Sequence, residues 1–231
     1  SYEIASIILS FATSSTVTFY VMGAEEKSFP YPNQKDFLRK TNPTINDDVL
    51  ACSAFVGCLD CLQFFLDQGA DPNSTDNKGW TALMFASEQG NTEAVETLIE
   101  RGAYLNKTDD RGATALIIAA LSGQSETIEK LIEAGANLNK VDNMDATALM
   151  CASEKGHVEA IDTLIEKGVK PNETEKLGRT ALMIASQEGH VDAIDKLVEK
   201  GAKPNKTDKT GITALMIASY MGHVAAVEKL I

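Results

Sequence analysis

Two nested hydrophobic rhythms run along most of this chain. The shorter is helical. In residues 92–100, Ala94, Val95, Leu98 and Ile99 fall on one stripe and Glu93, Glu96 and Glu100 on the other face, which predicts an amphipathic helix. Ahead of it, the hydroxyl of Thr81 can cap a helix carried by Ala82, Leu83, Phe85 and Ala86, and Gly90 stops that helix. Gly102 ends the second helix, where a left-handed backbone is cheapest without a side chain, and Asn106, Asp109 and Gly112 mark a turn.

The longer rhythm has a period of 33 residues: Gly69, Gly102, Gly135, Gly168 and Gly201 form one ladder, and Gly57, Gly90, Gly123, Gly156, Gly189 and Gly222 another. Thr81, Thr114, Thr147, Thr180 and Thr213 keep this register, as do Leu83, Leu116, Leu149, Leu182 and Leu215. A two-helix unit with one apolar stripe cannot hide that stripe alone, so copies must stack, each covering the next. The reading is an all-α, elongated and curved solenoid. Its units run over residues 43–75, 76–108, 109–141, 142–174, 175–207 and 208–231, the last ending inside its second helix with Val227, Leu230 and Ile231 uncovered. The unit 43–75 is degenerate: Leu50, Gly57, Leu62, Phe65, Leu66, Gly69 and Asn73 hold the register, whereas "DDV" replaces the threonine start.

Residues 1–42 form a separate segment, read either as a divergent repeat closed by Gly23 and Ala24 or as another element packed on the stack. Ile4, Ile7, Ile8 and Phe11 have helical spacing, Val17, Phe19 and Val21 alternate like a strand, and Pro30, Pro32 and Pro43 break the path. Residues 1–23 are nearly uncharged, but their hydroxyl content speaks against membrane insertion. The sequence opens at Ser1 without a basic n-region, which does not read as a signal peptide, and a longer parent protein is expected.

The units "GWTALMFASEQGN" with "LIERGAYLN" and "GRTALMIASQEGH" with "LVEKGAKPN" resemble the ankyrin-repeat family over about residues 43–231. The family pattern often has Pro where Ala82, Ala115, Ala148, Ala181 and Ala214 stand, and His where Met84, Ile117, Met150, Met183 and Met216 stand. These changes trade preorganisation and polar links for apolar packing. Asp145 fills the slot held elsewhere by Gly79, Gly112, Gly178 and Gly211, and Asp is among the few residues that tolerate positive φ.

The resemblance implies a scaffold or adaptor that binds a protein or peptide on the concave side made by the turn tips and first helices. Carried over by position, the binding residues are Lys78, Trp80 and Gln89 in the second unit, Arg111, Leu121 and Ser122 in the third, and Met144 and Lys155 in the fourth. In the fifth they are Leu177, Arg179 and Glu188, and in the sixth Lys209, Ile212, Tyr220 and Met221. Trp, Tyr, Arg and Met are the side chains that anchor interfaces. Alternatives are a targeting arm of a larger enzyme or channel whose active domain lies elsewhere, and self-association through the uncovered carboxy-terminal end near Leu230 or through residues 1–23.

Charge narrows the partners. The net charge of −12 repels phosphate backbones, so nucleic acid is not expected. Lys78, Arg111, Lys176, Arg179, Lys206 and Lys209 lie on the turns, whereas Glu93, Glu96, Glu126, Glu129, Glu159, Asp162, Asp192 and Asp195 coat the second helices. A partner segment that is apolar with some acidic residues follows. No phosphate loop, nucleophile elbow or metalloprotease run occurs, so no enzyme, catalytic residue or cofactor is expected. His157, His190 and His223 recur in register as structural residues. Cys58 and Cys61 lack the second pair that a zinc ribbon needs, so no metal is expected, and Cys61 reads as a small core residue like Ala94. Four cysteines (Cys52, Cys58, Cys61 and Cys151) are too few for a disulfide framework, which points to a reducing cytoplasmic or nuclear setting.

Overall fold

Threonine caps and glycine stops recur down the chain, and they set the architecture. The structure is a computed structural model that describes residues 7–11, 17–21, 27–28 and 43–231. In five units a threonine hydroxyl accepts the amide three residues on, as in Met84 N to Thr81 Oγ1 (3.2 Å) and Met183 N to Thr180 Oγ1 (3.3 Å). Each bond satisfies an amide that the first helical turn leaves without a partner.

The helix pairs are α1 (Pro43–Val56) with α2 (Leu59–Asp67), α3 (Ala82–Gln89) with α4 (Thr92–Glu100), and α5 (Ala115–Leu121) with α6 (Ser125–Glu133). They continue as α7 (Ala148–Lys155) with α8 (Val158–Glu166), α9 (Ala181–Glu188) with α10 (Val191–Glu199), and α11 (Ala214–Met221) with α12 (Val224–Leu230). Pro43 opens α1, at the helical position whose amide needs no partner. First helices stack on first helices and second helices on second helices, so one hydrophobic core runs the length of the solenoid. Leu98, Leu131, Leu164 and Leu197 are wholly buried at equivalent positions of the second helices.

Gly123 and Gly156 show why the glycine ladder is obligatory. Both cap first helices with a left-handed backbone (φ 73° and 72°), and a Cβ there would lie 2.7 Å from the ring of His157 or His190 in the following unit. Those rings bond back across the interface: Nε2 of His157 meets the carbonyl of Leu121 (3.0 Å), that of His190 the carbonyl of Glu154 (2.9 Å), and that of His223 the carbonyl of Gln187 (2.9 Å). Asn91 and Gln124 take this role in earlier units, donating to the carbonyls of Ala54 (2.8 Å) and Glu88 (3.2 Å). The histidines thus hold neighbouring units together, as the register implied. Asp145 adopts φ 60°, the only positive φ of a non-glycine among the described residues, as its place in a glycine ladder predicts.

The amino-terminal strands form an antiparallel sheet in the order β1 (Ile7–Phe11), β2 (Val17–Val21), β3 (Lys27–Ser28). The alternation of Val17, Phe19 and Val21 is realised in β2, whereas Ile7, Ile8 and Phe11 lie in β1, so their helical spacing is not expressed. Gly23, Ala24, Pro30 and Pro32 lie outside the described residues. Among the described residues no helix is long and apolar enough to cross a membrane.

Two expectations are corrected. Cys58 and Cys61 are joined in a disulfide, so the cysteines do not all stay apart; Cys61 is nonetheless wholly buried, in the small core slot it shares with Ala94. The acids of the second helices are also more than a solvated coat. Glu96, Glu129, Asp162 and Asp195 pair with lysines of the next unit, as in Lys130–Glu96 (2.6 Å) and Lys200–Asp162 (2.6 Å).

Candidate binding groove

The turn between units is built around one carboxylate. Asp76, Asp109, Asp142 and Asp208 each accept, through Oδ1, the amides two and four residues on, at 2.8 to 2.9 Å. Glu175 does the same with its two oxygens, from Leu177 N and Arg179 N at 3.0 Å. Each acid folds its turn into a finger, and backbone bonds link finger to finger: Asp110 N to Lys78 O (3.0 Å), Asn143 N to Arg111 O (2.8 Å) and Lys209 N to Leu177 O (3.0 Å). Burial acts to raise the Glu175 carboxyl, but the amides of Leu177 and Arg179 and the Arg179 guanidinium outweigh it and hold the group below its ordinary value. The amide of Ile212, with the hydroxyl of Thr210, likewise lowers Asp208.

Fingers and first helices border a groove of about 580 Å³ that runs from the second to the fourth unit. Trp80, Arg111 and Met144 line its finger side, and Leu121, Cys151 and Lys155 its helix side. Met144 is 74% exposed, and the Arg111 side chain stays 67% exposed although its Nε meets Asp109 Oδ2 (3.2 Å), so both present side-chain surface to a ligand. Trp80 is only half-buried: its indole Nε1 donates to Asp109 Oδ2 (3.1 Å) and its ring lies 5.0 Å from that of Phe85. Phe85 in turn meets Phe55 edge-on, at 6.4 Å, which carries the aromatic run onto the first unit. Burial pushes the Cys151 thiol up to about 12, so at neutral pH it is an apolar part of the groove wall.

The predicted residues therefore divide. The structure gathers Trp80, Arg111, Leu121, Ser122, Met144 and Lys155 around one groove. Leu177 (60% exposed), Glu188, Lys209, Ile212, Tyr220 and Met221 are exposed further along the chain, outside that groove, as are Lys78 and Gln89 before it. Arg179 is tied into the scaffold: its Nε meets Glu175 Oε1 (3.2 Å) and an Nη meets Gln187 Oε1 (3.4 Å). Lys206 is committed to the carbonyl of Asn172, and Lys176 to Asp145 (2.9 Å). Sequence reasoning missed Phe85, Asp110, Ile118 and Cys151. The last three line the groove; Asp110 stands on a finger in the register of Lys209, whereas Phe85, Ile118 and Cys151 share one first-helix register in which no residue was singled out. Among the described residues, no cluster of three or more His, Cys, Asp or Glu side chains is placed to hold a metal ion.

A family profile described as ankyrin repeats (three copies) matches residues 49–142, 106–175, 126–208 and 149–231. The crystal structure of the human ASB11 ankyrin repeat domain is similar, with a TM-score of 0.72 and 27% sequence identity, over 78% of this chain and 81% of that one.

Proposed function

The chain belongs to the ankyrin-repeat family, whose arrays generally mediate protein–protein interaction, and we propose that it is a scaffold binding an extended protein segment along its concave face. The observation that carries this reading is the groove between Trp80 and Lys155, in which an apolar wall of Trp80, Leu121, Ile118 and Cys151 lies beside the exposed Met144 and Arg111. A half-buried indole with a fixed hydrogen bond is a rigid anchor that loses little entropy on binding. The partner fitted to it carries an apolar anchor residue with an acidic neighbour directed at Arg111. A cytoplasmic or nuclear setting is part of the same reading, as is the assignment of residues 43–231 to the binding array.

Selection of a random peptide library on the whole chain tests it. Peptides enriched on the wild type are expected to share an apolar-acidic core and to lose at least about tenfold in affinity to a variant carrying Arg111→Glu and Met144→Glu. Both positions are exposed, and circular dichroism checks that the fold is kept, since Arg111 also pairs with the buried Asp109. A convex-face variant, Glu159→Lys with Asp192→Lys, is expected to bind as the wild type does. If the groove and convex variants lose affinity equally, or neither does, the groove is not the site.

A second reading rests on the last helix pair, where Met216 (55% exposed), Val224 (69%) and Tyr220 (90%) present apolar surface to solvent. They favour self-association through that end. Sedimentation equilibrium is then expected to show a concentration-dependent mass that Tyr220→Lys with Val224→Lys abolishes.

A further inference from the structure

One unit departs from the others in the pair of residues that opens its second helix. The slot that begins each second helix holds Cys58, Asn91, Gln124, His157, His190 and His223, and the slot three residues on holds Cys61, Ala94, Thr127, Ala160, Ala193 and Ala226. Only in the first of these do two sulfurs meet, and there they form a disulfide. The bridge is not needed to shape the helix start, because five other units build the same start, from the glycine before it to the buried face of the helix, with no covalent link. It closes a loop of only three further residues, where little chain entropy is removed from the unfolded state.

The two sulfurs are also unequal. Cys58 is the residue before the first turn of α2 and is partly exposed, whereas Cys61 lies in that turn and is wholly buried. The sulfur at the head of this nine-residue helix is the one a second thiol can reach, and a buried partner sulfur is shielded from it.

We propose that Cys58 and Cys61 form a reversible thiol–disulfide exchange site for low-molecular-weight thiols of the glutathione class, with Cys58 as the sulfur of entry. In the reducing direction a small-molecule thiolate attacks Cys58 Sγ. The protein S–S bond breaks, and Cys61 Sγ leaves as a thiolate that takes a proton from water. A second small-molecule thiolate attacks the small-molecule sulfur of the mixed disulfide and releases Cys58 as the thiolate. The protein disulfide gains two electrons, and two thiols become one low-molecular-weight disulfide. The oxidising direction is the reverse: Cys58 attacks the small-molecule disulfide, and Cys61 displaces the thiol held on Cys58. The scaffold tolerates both states, because reduced Cys61 is a small core side chain in a slot that alanine fills in four other units. This inference stands apart from the groove and does not depend on it.

The repeat supplies variants already known to fit: Cys61→Ala copies Ala94, and Cys58→Asn copies Asn91. The test equilibrates the full chain with glutathione and its disulfide over a series of ratios, quenches by alkylation, and reads the Cys58–Cys61 peptide by mass spectrometry. The wild-type pair is expected to interconvert as a unit between dithiol and disulfide. In Cys61→Ala, glutathione is expected to accumulate on Cys58, on the order of tenfold faster or more than on Cys61 in Cys58→Asn, because exchange follows access. The proposal is overturned if the wild-type pair keeps one oxidation state across the series, or if the two single-cysteine variants are modified at equal rates. The wild-type titration decides the first point without reference to how either variant folds.

Discussion

The indole nitrogen of Trp80 donates to the carboxylate of Asp109, 3.1 Å away in the next unit, and Asp109 Oδ1 at the same time accepts the amides of Arg111 and Ala113. One buried side chain thereby folds the third finger and fixes the anchor at the mouth of the groove. Removing it leaves two amides, an indole and the Arg111 guanidinium without their acceptor, in a site that is only 6% exposed. Asp109→Ala is expected to cost about 2–4 kcal/mol, the range for buried acceptors with several donors. Asp208→Ala, in a more exposed finger, is expected to cost less. Urea unfolding of the two variants checks the order, and equal losses would contradict the account.

The bonds from His157 to Leu121 and from Asn91 to Ala54 occupy one slot with different chemistry, so their common role is donation to a carbonyl across the unit interface. His157→Ala is expected to lose about 1 kcal/mol, and His157→Asn to recover most of it, since an amide donates as an imidazole N–H does. Gly123→Ala is expected to cost more than His157→Ala, because its Cβ is barred both by the positive φ and by the ring of His157. Thermal unfolding of the three variants ranks them.

Acid is expected to weaken the fingers. Asp208 and Glu175 are held below their ordinary values of 3.8 and 4.5 in the folded chain. A group with a depressed folded pKa contributes stability that is complete above its unfolded value and is lost as pH falls through the folded one. The urea midpoint should therefore stay level from neutrality down to the ordinary carboxylate range and decline below it. Glu175→Gln, which keeps one acceptor but cannot titrate, is expected to make that decline shallower. An unchanged slope would remove Glu175 from the explanation.

At the end of α10 Lys200 meets Asp162 (2.6 Å) and Glu166 (2.9 Å) of the preceding unit, and its hydrogen bond to Asp162 is the largest of the causes that raise its pKa. The sign is opposite to that of the fingers: the contribution is complete below the unfolded value of 10.5 and is lost only as pH rises through the folded one. Ion pairs at the surface are screened by solvent and contribute little. Lys200→Met is expected to lower stability slightly in dilute buffer and by nothing measurable in about 1 M salt, where screening is nearly complete. Paired urea curves at the two ionic strengths test it.

Much of this architecture was legible because its causes are local. A threonine hydroxyl reaches an amide three residues away, and a glycine ladder marks left-handed caps whatever the tertiary context, so Thr81, Gly90 and even Asp145 could be placed from their neighbours alone. What escaped depends on pairs from different units. The link of Lys200 to Glu166 spans 34 residues and that of Trp80 to Asp109 spans 29, offsets that a search at one fixed period does not single out. Arg179 and Lys206 have the chemistry of binding residues, but their partners Glu175, Gln187 and Asn172 become visible only once the fingers are folded. The cysteines were misread for a related reason. A framework argument counts them over the whole chain, whereas Cys58 and Cys61 need only one helical turn to meet.

The slot of Cys61 and Ala94 supports one last prediction. In the third unit it holds Thr127, 1% exposed, whose hydroxyl finds no hydrogen-bond partner among the described residues. A buried hydroxyl that has left water without a new partner carries its desolvation cost uncompensated, of order 1–3 kcal/mol on mutational scales. Valine has the same branching and nearly the same volume with a methyl in place of the hydroxyl, so it removes that cost without opening a cavity. Thr127→Val is expected to raise stability by about 1 kcal/mol. Thr127→Ala also removes the hydroxyl, but it gives up packing around Ile128 and Leu131 and is expected to gain less, although alanine fills the slot in four other units. Denaturant unfolding of the two variants separates the terms: the gain of valine over the wild type measures the cost of the hydroxyl, and the difference between valine and alanine measures the packing. A loss for valine would mean that the hydroxyl has a partner in solution, such as a buried water, and that the slot is polar by design in this unit.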